Sequence, residues 1–132
     1  MVYWKFKEFL SEAGGEFENW LNSLPLAHQA KIDLFISRLR LIKTWSKKLV
    51  YPLTGYRKIY ELRIRGPHIE YRPLGCYGPD RNEFTLLIGV KEVESKFEPR
   101  DAPNKAVERQ KLIQDRRFTK YYYGSRGEKK IN

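Results

Sequence analysis

The sequence predicts an α+β fold: a mostly antiparallel sheet packed on a helical hairpin, with a C-terminal helix. Three observations predict it. Apolar and polar side chains alternate over residues 2–7, 58–65 and 68–72, the period of strands buried on one face. Apolar residues recur at helical spacing on both sides of Pro25. Residues 84–90, Phe-Thr-Leu-Leu-Ile-Gly-Val, are apolar on both faces, as a central strand is.

The elements follow in order. Val2, Trp4 and Phe6 share one side of the first strand, opposite Tyr3, Lys5 and Lys7. Gly14-Gly15 breaks it. Phe17, Trp20, Leu21 and Leu24 mark a short helix over 16–24. Pro25 ends that helix and suits the first turn of the next. Ala30, Ile32, Phe35, Ile36, Leu39 and Ile42 give the second helix, roughly 26–42. Residues 43–55, with Pro52 and Thr54-Gly55, read as a loop. In the next strand Tyr60, Leu62 and Ile64 face away from Glu61, Arg63 and Arg65. Gly66-Pro67 is a turn, and the following strand sets Ile69 and Tyr71 opposite His68, Glu70 and Arg72. Residues 75–82 hold Gly75, Gly78, Pro79, Asp80 and Asn82, a hairpin-loop signal. A last helix spans 103–113. The order is β-α-α-β-β-β-α, a single domain over 1–115, followed by a basic, Tyr-rich tail over 116–132 that reads as mobile.

The 132 residues carry 26 Lys+Arg against 16 Asp+Glu, a net charge of +10 and a pI near 9.7. That excess points to an anionic partner. Its distribution is uneven. Residues 100–132 have ten basic and four acidic side chains, whereas residues 50–99 have eight and seven. Basic and aromatic residues interleave in the tail, including Arg116, Arg117 and Lys120. It reads as an RNA-binding arm or as a solvated, solubilising tail. No apolar run reaches membrane-spanning length, and Lys5, Lys7 and Glu8 interrupt any leader-like segment. The single Cys76 excludes an internal disulfide framework and suits a reducing cytoplasm.

A tight turn at Gly66-Pro67 would put Glu61, Arg63 and Arg65 on one sheet face with His68, Glu70 and Arg72, and Lys91 ends the next strand. Three arginines, a lysine and a histidine suit phosphodiester chemistry, which needs positive donors around the phosphoryl oxygens and groups that give and take a proton. No Cys/His/Asp/Glu pattern has metal-ligand spacing, so a metal-independent, cofactor-free scheme is expected. The competing reading is a wet outer face whose Glu61 and Glu70 pair with the arginines.

The run Gly55-Tyr-Arg-Lys-Ile-Tyr-Glu-Leu-Arg63, the element Glu70-Tyr-Arg72, and Phe84-Thr-Leu-Leu-Ile-Gly-Val-Lys91 with Pro99 and Ala106 resemble the RelE/ParE toxin superfamily, and within it the phage-derived HigB-like branch. The resemblance covers residues 2 to about 115. It implies a toxin of a type II toxin–antitoxin pair, with the active site on the sheet. RelE and HigB members cut messenger RNA in the ribosomal A site. The resemblance puts Arg72 on the scissile phosphate, Arg63 on the first active strand and Lys91 after the last. Arg57, Lys58 and Arg65 join the RNA-contacting set. Glu61 stands where RelE-type enzymes have a lysine, although the HigB-like branch also accepts Glu there. Phe97 stands where many members have a catalytic Tyr or His.

The leading expectation is therefore a ribosome-dependent, metal-independent mRNA endoribonuclease. In it the RNA 2′-oxygen attacks phosphorus, Arg72, Arg63 and Lys91 stabilise charge, and His68 or Glu61 is the base. Expected partners are a cognate antitoxin and mRNA on the ribosome, with ribosomal RNA contacts and no membrane. The alternatives are a ParE-like, non-nucleolytic inhibitor of DNA gyrase and an inactive nucleic-acid-binding module.

Overall fold

The computed structural model describes residues 1–66 and 68–124. Its strands are β1 (Lys5–Ser11), β2 (Gly14–Gly15), β3 (Val50–Pro52), β4 (Tyr60–Leu62), β5 (Ile64–Arg65), β6 (Glu70–Tyr71), β7 (Leu74–Tyr77), β8 (Glu83–Ile88), β9 (Lys91–Val93), β10 (Lys96–Glu98) and β11 (Thr119–Tyr121). Its helices are α1 (Glu16–Asn22), α2 (Leu26–Arg40) and α3 (Ala102–Leu112), with a 3-10 turn at Arg116–Phe118. The predicted α+β class, helical hairpin and C-terminal helix are all present.

One sheet has the order β11-β1-β8-β7-β4-β3, with β2 attached to β1; a second has the order β10-β9-β6-β5. The β1–β8 pair is parallel and the other pairs are antiparallel. Every residue of β8 is buried, which explains its continuous apolar run. Its two faces feed two cores. Phe84 and Leu86 join Phe6, Leu62, Ile64 and Tyr71 beneath α1 and α2, while Leu87 joins Leu74, Cys76, Ala102, Ala106 and Ile113 beneath α3. Burying each large side chain contributes about 1.5–3 kcal/mol.

The α1–α2 turn is short because Pro25 both ends and restarts the helix. Its carbonyl accepts from His28 N and Gln29 N at 2.9 and 3.0 Å. Gln29 Nε2 then donates to Leu24 O at 2.8 Å, binding the two helices at their junction. At the far end Trp45 Nε1 donates to Leu39 O at 2.8 Å, a carbonyl that also accepts from Ile42 N at 3.1 Å, and so ties the following segment to the end of α2.

Several elements differ from expectation. The 43–55 loop contains β3, paired with β4. Gly75 is a strand residue, because a Cβ there would meet Phe84 Cε1 at 2.4 Å and Thr85 O at 2.6 Å. Close packing, not a turn, accounts for this glycine, and the turn is confined to the residues after Tyr77. Lys7, expected on a wet face, is only 6% exposed, because β1 has neighbours on both sides. The largest difference is the expected mobile tail. Residues 116–118 form the 3-10 turn, β11 pairs antiparallel with β1, and Tyr122 is buried. The open flank of β1 supplies the hydrogen-bonding partner that holds this segment. The rest of the expected tail, 125–132 with Arg126, Lys129 and Lys130, lies outside the described residues.

Candidate functional site

The β5–β6 register sets Ile64 opposite Tyr71 and Arg65 opposite Glu70; the β6–β9 register sets Glu70 opposite Glu92 and Tyr71 opposite Lys91. Ile64 and Tyr71 point into the core, so Arg65 and Glu70 turn outward as the alternation predicts, whereas Glu61 and Arg72 are buried. On α2, His28 Nδ1 lies 2.5 Å from the Tyr71 hydroxyl, fastening the helix to β6 beside Arg72.

The cations of this face are already matched by carboxylates. Arg63 Nε donates to Glu61 Oε1 at 3.1 Å, with its guanidinium 4.1 Å from the Tyr51 ring centroid. Arg65 Nε lies 3.9 Å from Glu70 Oε1, and Lys91 Nζ lies 3.8 Å from Glu98 Oε1. Arg72 is the most enclosed, at 8% exposure. Its Nη2 donates to Glu70 Oε2 at 2.5 Å and its Nη1 to Tyr71 O at 3.0 Å, and its Nε is 3.8 Å from Glu92 Oε2. His68, by contrast, is exposed at the turn with φ +66° and makes no polar contact among the described residues. It is not brought to the arginines.

Glu70 and Glu92 are directly opposed on paired strands. Burial pushes the Glu92 carboxyl above its ordinary value, and its hydrogen bond with Glu70 pushes it the same way, against the attraction of Arg72. Two carboxylates in contact hold a proton more readily than either alone. Glu92 therefore places a carboxyl that holds its proton more readily beside the Arg72 guanidinium.

Two depressions meet at this point. A groove of about 710 Å³ runs between α2, the segment before β3, and β5. Its lining includes Lys31, Arg38, Lys48, Arg63, Arg65 and Arg72, and no carboxylate. Among the described residues, Lys31, Arg38 and Lys48 have no ion-pair partner. A neighbouring depression of about 440 Å³ is lined by Glu61, Glu92, Ser95, Lys96, Phe97 and Arg100. The pairs Arg63–Glu61 and Arg72–Glu92 each place the arginine in the first lining and the carboxylate in the second.

A protein-family model described as "Phage derived protein Gp49-like (DUF891)" matches residues 19–111, well over half of the chain. The chain belongs to this Gp49-like family. The family is part of the RelE/HigB-like toxin superfamily. No curated protein and no solved structure matches the chain. In this Gp49-like protein the matched segment spans α2, both depressions and nearly all of α3.

The Gp49-like protein arranges the remaining expected contacts differently. Arg57 and Lys58 are exposed just before β4. Arg116 is paired with Asp80 at 2.6 Å, Arg117 with Asp115 at 2.7 Å, and Lys120 with Glu18 at 3.7 Å. Arg116, Arg117 and Lys120 thus each have a carboxylate partner at the surface. Sequence reasoning missed Lys31, Arg38 and Lys48, although Lys31, Phe35 and Arg38 recur at helical spacing on one face. It also missed Glu92, whose character comes from a strand partner 22 positions away. The buried Cys76 thiol is pushed up to about 12 by burial, so it is inert. Among the described residues, no group of three His, Cys, Asp or Glu side chains could hold a metal, and no helix is long and apolar enough to cross a membrane.

Proposed function

We propose that this Gp49-like protein is the toxin of a type II toxin–antitoxin pair and that it cuts messenger RNA on the ribosome. The observation that carries the reading is the carboxylate-free groove with six cations, set directly against an arginine-bound carboxylate pair. A polyanionic strand fits the groove by charge. A phosphodiester there would compete with Glu70 and Glu92 for Arg72, with Arg63 beside it and Lys91 close by.

The chemistry then needs no metal. Glu92 takes the proton of the RNA 2′-hydroxyl. The 2′-oxygen forms a bond to phosphorus as the bond from phosphorus to the 5′-oxygen breaks, and the departing oxygen takes up, through water, the proton that Glu92 removed. The products are a cyclic 2′,3′-phosphate and a free 5′-hydroxyl. Arg72 stabilises charge growing on the phosphoryl oxygens. Glu92 replaces His68 and Glu61 as the favoured base, since His68 makes no polar contact with the cluster among the described residues and Glu61 accepts a direct hydrogen bond from Arg63 at 3.1 Å, whereas Arg72 Nε stays 3.8 Å from Glu92. The antitoxin would present acidic side chains to the same groove.

The test is to map RNA 5′-hydroxyl ends in cells expressing the parent and Glu92→Gln. New ends inside translated codons, lost in the variant, support the proposal. Growth arrest with intact message overturns it. A second reading, non-nucleolytic inhibition of DNA gyrase, is favoured by one observation: Phe97, which cannot transfer a proton, lines the depression beside Glu92. Induced DNA breaks with intact message would select that reading.

A further inference from the structure

Residues 34–60 carry seven lysines and arginines and no acidic residue, the longest stretch of the chain without a carboxylate. They include the end of α2 and the segment that leads to β3. We propose that the corner formed there docks on a double-stranded segment of RNA, with Lys43, Lys47 and Lys48 on its phosphates. The choice of RNA rests on the proposed cleavage reading; the docking itself needs no cleavage step.

The donors of this corner are unengaged. Lys43, Thr44, Ser46, Lys47 and Lys48 are all exposed. Each carries a hydrogen-bond donor suited to a phosphate oxygen. None of these side chains has a hydrogen-bond or ion-pair partner among the described residues. That separates them from Arg116, Arg117 and Lys120, which are paired. Helix polarity does not account for them either. Arg38 and Arg40 occupy the last turn of α2, where a cation offsets the carbonyl end. Lys43, Lys47 and Lys48 lie beyond that turn.

Two indoles fix the backbone that presents them. Trp45 turns inward: its Nε1 donates to Leu39 O at 2.8 Å, and its ring packs on Trp4, Phe6 and Phe84. Trp4 Nε1 donates to Lys43 O at 3.1 Å. Ser46 O accepts from Leu49 N at 3.0 Å and from Val50 N at 3.1 Å, closing a turn around Lys47 and Lys48. These bonds tie residues 43–50 to the end of α2 and to the residue before β1. A segment ordered in advance does not lose loop entropy when a partner arrives.

The same arrangement selects the partner. Proteins that hold single strands add base stacking to charge. With Trp45 turned inward, residues 43–48 offer cations and hydroxyls without a stacking ring, so contacts to the sugar–phosphate backbone are what remain. Duplex RNA is recognised in that way, through its shape, its phosphates and its 2′-hydroxyls. Thr44 and Ser46 can serve either kind of oxygen. An anionic lipid surface would call for apolar side chains among the cations, whereas the exposed Leu41 and Ile42 precede the run. Arg38 and Lys48 also line the α2 groove, so a strand that leaves the duplex can pass into it.

The test uses the purified full chain, a fluorescent RNA duplex of about 16 base pairs, the span of a duplex-binding module, and an unstructured RNA hexamer. Lys43→Ala with Lys47→Ala changes two exposed residues outside the α2 groove lining, and circular dichroism shows that the variant is folded. It should weaken duplex binding about tenfold and lower the slope of log affinity against log salt by about 2. Hexamer binding should be unchanged, because the groove keeps its own cations. Duplex affinity equal to the parent's would overturn the proposal, as would duplex and hexamer affinities that fall together. So would a DNA duplex bound as tightly as the RNA duplex, or displacement of the duplex by poly-glutamate or phosphatidylserine vesicles as readily as by unlabelled duplex. A parent that leaves message intact in cells yet binds the duplex through Lys43 and Lys47 supports the docking corner and removes the cleavage reading alone.

Discussion

Replacing Lys31, Arg38 and Lys48 together by alanine should flatten the salt dependence of RNA binding. These three cations line the α2 groove and have no carboxylate partner among the described residues. Each can therefore neutralise a phosphate directly and release a counterion. For a single strand, each such contact contributes about 0.7 to the slope of log affinity against log salt. Losing three lowers the slope by about 2, so a fourfold rise in salt should cost the parent roughly fifteen- to twentyfold more affinity than the variant. Arg65→Ala should do less. Its guanidinium already lies 3.9 Å from Glu70 Oε1, so removing it also removes an attraction that a phosphate must displace. The assay is fluorescence anisotropy of an unstructured RNA from 50 to 200 mM KCl, with circular dichroism to show that the triple variant is folded. A folded triple variant with the parent's slope would refute the assignment of the groove.

Other outcomes follow from single sites. Because the Glu92 carboxyl is raised, its contribution to stability is full below the ordinary carboxylate value and is lost as pH rises through its folded value. The urea midpoint of the parent should therefore fall relative to Glu92→Gln as pH rises above the ordinary carboxylate value, and parallel curves would contradict the shift. Gly89→Ala would put a Cβ 2.0 Å from Trp20 Cδ2, so it should cost about 1–3 kcal/mol in urea unfolding. Tyr122→Phe removes a hydroxyl that donates to Asp33 Oδ1 at 2.5 Å and should cost about 1–3 kcal/mol. Truncation after Asp115 removes β11 as well as Tyr122. It should abolish a sharp thermal transition, and an unchanged melting curve would show that the segment is not part of the core.

What could be read from the sequence was local. Helical spacing located α2 within two residues at its C-terminal end, because its buried face, Ile32, Ile36 and Leu39, follows the helical period. The apolar run at 84–90 marked β8, since a strand buried on both faces cannot alternate. Alternation also assigned Leu62, Ile64 and Tyr71 to the core and the arginines to the other face. What it could not supply was register between distant strands. The meeting of Glu70 with Glu92, which changes the chemistry beside Arg72, follows from β9 folding back on β6. The β9–β10 hairpin was hidden for a similar reason. Glu94 and Ser95 both adopt positive φ at its turn, in place of the Asn-Gly signal that usually announces one. Thr119–Tyr121 is too short to show a period, and it is a strand only because β1 offers it a partner.

The placement of β11 has a consequence for the order of folding. Lys7 pairs with Tyr121 and also with Thr85, so β1 contacts residues about 80 and over 100 positions later. Contacts at that separation must pay loop-closure entropy before they stabilise anything, which slows folding. The helical hairpin and the β7–β8 ribbon can form from short-range contacts, whereas β1 must wait for both partners. During synthesis the flank of β1 stays unsealed until residues 119–122 emerge. A nascent chain therefore acquires its buried Tyr122 and its closed flank only when its last described residues become available.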